Sequence, residues 1–404
     1  MRFTIKAGEL ASVLNSLSGL AKGQTMPILG CVKITAEDAH LQVEATDLAT
    51  RSTCRWPATP TSVGATCVNA NRLLGLMRGL PSSMVVEITG TKEHLTIKGL
   101  RSRYRLAALS EFDFPQRPDA VANTTCQFPA GALHRGLSAV IKVVDNMAVT
   151  GSMSSGASIT ITEGCVESIA AESGRVTYVR EFSEDIHAAG PISTFVNRNT
   201  GKELLRLLGE VESDSTVFYA HGDQHDTFTA GDRELILQRY QMNFPESAVR
   251  SLLKERPDET RVTVNREGLK AMISRVAVAM DSEFDSDRFQ IKCTGRDLVA
   301  TVSRDRNAMG SKDALKAASR AAKGDEEAPP SNAPRKAYET IAEESLESAG
   351  MTDMEPMTFQ LRYFIDVVDR GEGETAELYF GGPANPLRLQ LGAEVTAILA
   401  PMRD

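Results

Sequence analysis

The sequence predicts an α+β protein made of three copies of one unit, each carrying two helices and several strands. Three observations predict it. A strand residue followed by a helical apolar stripe occurs three times, a second strand-to-helix step follows in each copy, and an alternating strand closes each copy.

The first element opens at Ile5, with Leu10, Val13, Leu14 and Leu17 behind it. That spacing puts four side chains on one helical face. It returns at Phe128 with Leu133, Leu137 and Val140, and at Val264 with Leu269, Met272, Ile273 and Val276. In the last copy Asn265 stands where a helix N-cap belongs. The second element is Val68-Asn69 before Leu73, Leu74 and Met77, then Val196-Asn197 before Leu204, Leu205 and Leu208, then Phe359-Gln360 before Tyr363, Phe364 and Val367. The closing strands are Tyr104-Arg105-Leu106 ahead of Phe114-Pro115, Leu235-Ile236-Leu237 ahead of Phe244-Pro245, and Val395-Thr396-Ala397 ahead of Pro401. One such match is weak; three elements in one order, three times, define domains at 1–120, 121–250 and 251–404.

From first to second strand anchor the copies run 63, 68 and 95 residues, so the third holds an insertion. Composition places it at about 306–336, a stretch rich in Ala, Lys, Glu, Pro and Ser without aromatics. Its first half fits a short exposed helix around Asp313–Lys323, and the rest reads as disordered. A solvated loop extension and a partner-binding segment are both open.

Length and charge set the outer limits. At 404 residues the chain exceeds one ordinary core. No stretch reaches the roughly 20 apolar residues of a membrane span, and the first residues alternate like a strand rather than a signal peptide, so a cytoplasmic, membrane-free protein is expected. Six scattered cysteines (Cys31, Cys54, Cys67, Cys126, Cys165, Cys293) suit neither a zinc ribbon nor a disulfide framework. The net charge of −8 excludes a DNA grip built on a large basic excess; any hold on DNA must be local or topological.

Met26-Pro27-Ile28-Leu29-Gly30, Ala45-Thr46-Asp47-Leu48, Arg101-Ser102-Arg103-Tyr104 and the ending Ala400-Pro401-Met402-Arg403 make the chain resemble the beta subunit of bacterial DNA polymerase III, the sliding-clamp family. The resemblance covers nearly the whole chain outside the insertion and thins through the middle copy. It implies three clamp domains with two helices each on antiparallel sheets, and two chains joined head to tail into a ring, helices lining the hole and sheets outside. The joint would pair the edge strand at Tyr104 and Leu106 with the region of Val278 and Ala279. The partners implied are duplex DNA without sequence preference, a DNA polymerase subunit, the clamp loader and other proteins carrying clamp-binding motifs.

Such a ring needs only a few inward basic residues, because many phosphate contacts would act as a brake. The candidates are Lys22, Arg72, Arg78, Arg135, Lys142, Arg198, Lys202, Arg206, Lys270 and Arg275, as a set rather than singly. Carried over by resemblance, the partner-peptide pocket falls on Ser154, Ala171, Ser173, Gly174, Arg175, Val176, Pro245, Val249, Ile398, Ala400 and Met402. The family's usual Thr-Asp-Gly-His-Arg-Leu run reads Ala171-Glu172-Ser173-Gly174-Arg175-Val176 here, and Ala400 replaces a bulkier residue, which implies a smaller pocket and shifted peptide preference.

An enzyme is the rival class. Asp281, Glu283, Asp285 and Asp287 would make a magnesium site or a solvated loop; His221, Asp223, His225 and Asp226 would make a metal set or a hairpin turn. No Gly-x-x-x-x-Gly-Lys loop occurs, so nucleotide hydrolysis has no evident site and no cofactor or metal is expected. The other rival is a specialised phage- or plasmid-type paralogue that keeps the fold as a scaffold.

Overall fold

In the computed structural model, the described residues are 1–23, 26–99, 101–144, 156–172, 174–240, 244–279, 288–305, 338–349, 353–369 and 373–402. One order of elements, strand-helix-four strands-helix-three strands, is written through the chain three times, with one extra two-residue strand in the second copy. The first copy runs β1 Arg2–Lys6, α1 Ala7–Leu17, β2 Cys31–Glu37, β3 His40–Thr46, β4 Thr50–Pro57, β5 Gly64–Asn69, α2 Ala70–Arg78, β6 Val85–Gly90, β7 His94–Gly99 and β8 Ser102–Leu109. The second runs β9 Thr124–Pro129, α3 Ala130–Val140, β10 Gly156–Thr162, β11 Cys165–Glu172, β12 Arg175–Phe182, a two-residue β13 His187–Ala188, β14 Ile192–Asn197, α4 Arg198–Gly209, β15 Thr216–His221, β16 His225–Ala230 and β17 Arg233–Gln238. After α5 Glu246–Leu252, the third runs β18 Thr260–Asn265, α6 Arg266–Ala279, β19 Arg288–Thr294, β20 Asp297–Asp305, β21 Tyr338–Ala349, β22 Met357–Phe359, α7 Leu361–Val368, β23 Thr375–Phe380, β24 Leu387–Leu391 and β25 Val395–Leu399.

The chain divides into two compact units, one of residues 1–141, 146–168 and 181–244, the other of residues 142–145, 169–180 and 245–404. The first unit holds a thirteen-stranded antiparallel sheet in the order β1-β6-β7-β8-β5-β2-β3-β4-β17-β16-β15-β9-β13. Its seam between copies is the β4–β17 ladder, from Thr50↔Leu237 to Cys54↔Arg233. In the second unit β12-β25-β24-β23-β18-β21-β20-β19-β22 pair in that order, and the matching seam is β12–β25, from Arg175↔Leu399 to Val179↔Val395.

Periodicity explains why the helices sit where they do. Leu10, Leu14 and Leu17 of α1 are fully buried with Leu73 and Met77 of α2 on Phe3, Val86 and Ile88 of the sheet. Each such leucine removed from water contributes about 2 kcal/mol. Leu133 and Leu137 of α3 and Leu204 and Leu208 of α4 repeat the arrangement. In α6 and α7, Met272, Val276 and Phe364 do so, with Phe364 edge-on to Phe289 and Phe359, both at 5.4 Å. The second helix of the first two copies starts on an asparagine: Asn69 Oδ1 accepts from the Arg72 amide, and Asn197 Oδ1 from Asn199 and Thr200. Asn265 caps α6 as expected, accepting from Gly268 N at 2.7 Å, whereas α7 has no side-chain cap.

The Met26–Gly30 motif has a steric role. Gly23, at φ 57°, lies so close to Gly30 that a Cβ on it would meet the Gly30 Cα at 2.7 Å. The two glycines let the segment carrying Lys22 fold back on the 3-10 turn Pro27–Gly30. The expected insertion at 306–336, with its helix around 313–323, lies outside the described residues. The strands flanking it pair as far as Asp305↔Tyr338, so it leaves from the end of a hairpin, where added length costs little. All six cysteines are buried, and none of them forms a disulfide. Burial pushes the Cys67 and Cys126 thiols up to about 12 and Cys293 to about 11, which keeps them unreactive.

Candidate functional site: basic helix faces, a docking pocket and a free sheet edge

The ten basic candidates divide by what they touch. Arg72, Lys202, Lys142 and Lys22 are exposed and make no ion pair among the described residues. Arg78 donates to Asn15 Oδ1 at 2.5 Å. Arg135 is tied to Glu181 through two nitrogens at 3.0 and 2.7 Å, Lys270 to Asp369 at 2.7 Å, and Arg275 to Glu344 at 2.6 Å. Arg198 is half-buried at the start of α4. Arg206 reaches Glu203 at 3.8 Å and donates to the Ser16 carbonyl at 3.3 Å, where Arg233 also donates at 3.0 Å. Two guanidiniums thus cap the carboxyl end of α1, the favourable end of a helix dipole for positive charge. These internal partners were not legible in the sequence, because each acid lies on a different element from its base or a turn away.

Beside them Glu203 is buried, with Oε2 lacking a hydrogen-bond partner. Burial holds its carboxyl above the usual range, although Arg206, Arg233 and Lys22 pull it down. Gly19 makes room for this group: a Cβ there would fall 2.1 Å from Glu203 Oε1.

Of the residues assigned to the pocket, Gly174, Arg175, Val176, Ile398 and Ala400 come together at the end of the β12–β25 seam. Val176 pairs with Ile398, and the Ala400 amide donates to the Gly174 carbonyl at 2.9 Å. Met402 N donates to Thr358 O at 2.8 Å. Val249 on α5 is buried beneath exposed Pro245, and Arg250 Nη1 links that helix to Tyr178 Oη of β12 at 3.1 Å. Ala171, Val176 and Ile398 are buried, so the apolar surface offered outward comes from Gly174, Ala400 and Met402. Ser154 and Ser173 lie outside the described residues.

Arg175 is spoken for. It is 8% exposed and bonded to Glu172 at 2.9 Å, Asp366 at 2.7 Å and the Lys142 carbonyl at 3.0 Å, and its guanidinium lies 4.3 Å from the centre of the Tyr363 ring. Tyr363 also closes on Gly174, where a Cβ would meet its ring at 3.0 Å. Tyr363 and Asp366 belong to this site and sequence reading missed them. Their signal was present: Tyr363 follows the strand end Phe359-Gln360 by one helical turn, on the apolar face of α7.

At the far end of the first copy, β8 pairs with β7 from Ser102 to Ala107, and with β5 only at Ala108 and Leu109. The backbone edge of residues 102–107 is therefore open on one side. Tyr104 and Leu106 turn inward and pack on the first copy's core, leaving Arg103 and Arg105 exposed. Alternation along the strand sends neighbouring side chains to opposite faces. Val278 near the end of α6 is 86% exposed, and Ala279 is half-buried.

Of the two enzyme candidates, one lies among the described residues. His221, Asp223, His225 and Asp226 are a β15–β16 hairpin. Asp226 accepts from Tyr219 at 2.9 Å and Thr194 at 2.5 Å and lies 2.8 Å from His221 Nδ1, so its oxygens are occupied. Asp281, Glu283, Asp285 and Asp287 lie outside the described residues. Among the described residues no group of three or more acidic, histidine or cysteine side chains is placed to hold a metal, and no helix is long and apolar enough to cross a membrane.

Residues 1–118 match the family of the DNA polymerase III beta subunit, N-terminal domain. The beta sliding clamp of Pseudomonas putida is 24% identical over 296 residues, 72% of this chain and 78% of that protein. That of Escherichia coli (strain K12) is 30% identical over 137 residues, 33% of this chain and 37% of its own. In three dimensions a DNA polymerase sliding clamp from Pseudomonas aeruginosa matches over 100% of both chains with a TM-score of 0.82 and 20% identity. Caulobacter crescentus pol III beta does so with a TM-score of 0.80 and 21% identity. The threefold repeat, the signature motifs, the match of residues 1–118 and the full-length structural match agree: the first domain matches the DNA polymerase III beta subunit family by sequence, and the whole chain has the fold of the solved beta sliding clamps.

Proposed function

We propose that this chain is a DNA sliding clamp: two copies close head to tail around duplex DNA and tether a polymerase to it as a processivity factor. The observation that carries this is the threefold strand-helix-four strands-helix-three strands order in a chain whose whole length matches solved clamps. The three copies form domains 1–120, 121–250 and 251–404, and their helix pairs face the DNA. The protein works in the cytoplasm, has no catalytic activity of its own, and gains its effect by holding other proteins at the template.

A body of net charge −8 with few unpaired inward bases retains DNA by enclosure rather than attraction. Lys22, Arg72, Lys142 and Lys202 are the cations best placed to touch phosphates, because they are exposed and make no ion pair among the described residues. Arg78, exposed and bonded to the neutral Asn15 amide oxygen, keeps its charge, whereas Arg135, Arg206, Lys270 and Arg275 contribute a weaker, partly neutralised field and Arg198 is half-buried. The free edge of β8 at residues 102–107 receives the partner's third domain near Val278 and Ala279, completing the ring through main-chain bonds.

The pocket at Gly174, Ala400 and Met402, floored by Tyr363, takes short peptides from the polymerase subunit, the clamp loader and other proteins that carry clamp-binding motifs. With Arg175 bound internally, docking here relies on apolar contact and main-chain groups, so peptide preference is shifted from the family's usual motif. Peptide titration checks this; affinity for the usual motif equal to that of a standard clamp would refute it.

The decisive test of enclosure loads the protein onto nicked circular DNA with its loader and ATP, then isolates the complex by gel filtration. Clamp function predicts retention on the circle and release once a restriction enzyme linearises it. Equal retention on both forms would overturn enclosure and favour a scaffold that binds from outside.

A further inference from the structure

A cleft lies in the first unit between α1, the end of α4 and the adjoining ends of β4 and β17. We propose that it is a docking site for a short peptide segment that carries an apolar residue beside a lysine or arginine. Its volume is about 550 Å³, within the range of ligand-binding clefts. Val13, Trp56, Leu207 and Val211 supply an apolar lining, while Glu9 and Asp232 stand exposed at its mouth.

The charge of the site decides the class of occupant. Arg233 is the only base among the lining residues, and it is 6% exposed. Its guanidinium donates to Ser52 Oγ, the Ser16 carbonyl and the Glu210 carboxylate, so it offers nothing to an incoming anion. Glu9 pairs with Lys6 at 3.2 Å, but both side chains are 58% exposed, and such a pair is too weak to remove Glu9 from play. An apolar group entering the cleft therefore meets carboxylates at the mouth, and a cation next to it is favoured. Trp56 adds a ring face on which a guanidinium or ammonium can rest.

The cleft is also preformed. The β4–β17 ladder sets Cys54 opposite Arg233, the β3–β4 ladder holds Trp56 opposite Leu41, and the clamp of Arg206 and Arg233 on the Ser16 carbonyl fixes α1 beside them. Little ordering is left to be done on binding, so a short segment suffices.

The chain holds a single tryptophan, Trp56, so its emission reports on this cleft alone. Full-length protein titrated with the blocked peptide Lys-Leu-Leu-Lys should give a saturable emission change. The charge-reversed Glu-Leu-Leu-Glu should bind at least about fivefold more weakly at low salt, with the gap closing as salt screens the mouth. The exposed pair of changes Glu9→Gln and Asp232→Asn should weaken the basic peptide about threefold or more without altering the melting temperature. Val211→Arg should abolish the signal by filling the cleft. No emission change up to millimolar peptide, equal binding of the two peptides, or binding that survives Val211→Arg would each overturn the proposal. An emission change that tracks protein concentration without peptide would assign the cleft to a second copy of this chain and would also overturn it.

Discussion

Arg175 is held by two carboxylates, a carbonyl and the Tyr363 ring at once, all within one unit. Arg175→Ala leaves Asp366 and Glu172 without their counter-charge and opens a hole under Tyr363. Breaking a buried pair from one side costs about 3 kcal/mol. Amide exchange in β12 and β25 should then quicken on the order of a hundredfold, measured by native-state exchange mass spectrometry. Glu203 makes the opposite case. Because burial raises its pKa, folding favours the protonated carboxyl, so its charged form costs stability once the pH rises above the ordinary carboxylate range. Glu203→Gln should melt higher than the parent near neutral pH, with the advantage fading toward about pH 4, as a pH series of thermal melts will show. Neither residue announces itself in the sequence. Arg175 was legible as part of a site but not as a neutralised one, because its partner Asp366 is 191 residues away.

At the scale of elements, periodicity carried most of the reading. The three strand anchors, the three helix pairs and the closing strands stand where the apolar spacing puts them, since burying a stripe on a sheet is what that spacing is for. Ladder partners were not legible: β8 beside β7 with an open outer edge follows from long-range pairing, which no local pattern encodes. The same limit hid the inward turn of Tyr104 and Leu106, and α5, whose seven residues are too short to show a stripe. Loop chemistry was legible only as a motif. Met26–Gly30 marked the family, and the contact of Gly23 with Gly30 supplies its reason. Gly23→Ala puts an L side chain at φ 57° and against the Gly30 Cα, for a loss of about 2 kcal/mol, which a thermal melt will register.

For the molecule as a whole, the acidic balance sets the kind of hold on DNA. Removing the unanswered charges, as in Lys22→Ala with Lys202→Ala, should lower affinity for linear duplex and flatten its salt dependence by about two counterions. Retention on a closed circle should hardly change, because enclosure does not depend on those contacts. Measuring both on one preparation separates attraction from topology.

The seams β4–β17 and β12–β25 each run over five residue pairs of continuous main-chain ladder. A zipper of that length gives way only if several bonds fail together, so neither seam serves as a gate. Strain applied to the assembled ring must then concentrate at the joints between protomers, where two preformed edges meet and part without any chain losing its fold. In the proposed ring, DNA is then expected to enter where the covalent polymer ends and association begins: the door is the place where the protein is two molecules rather than one.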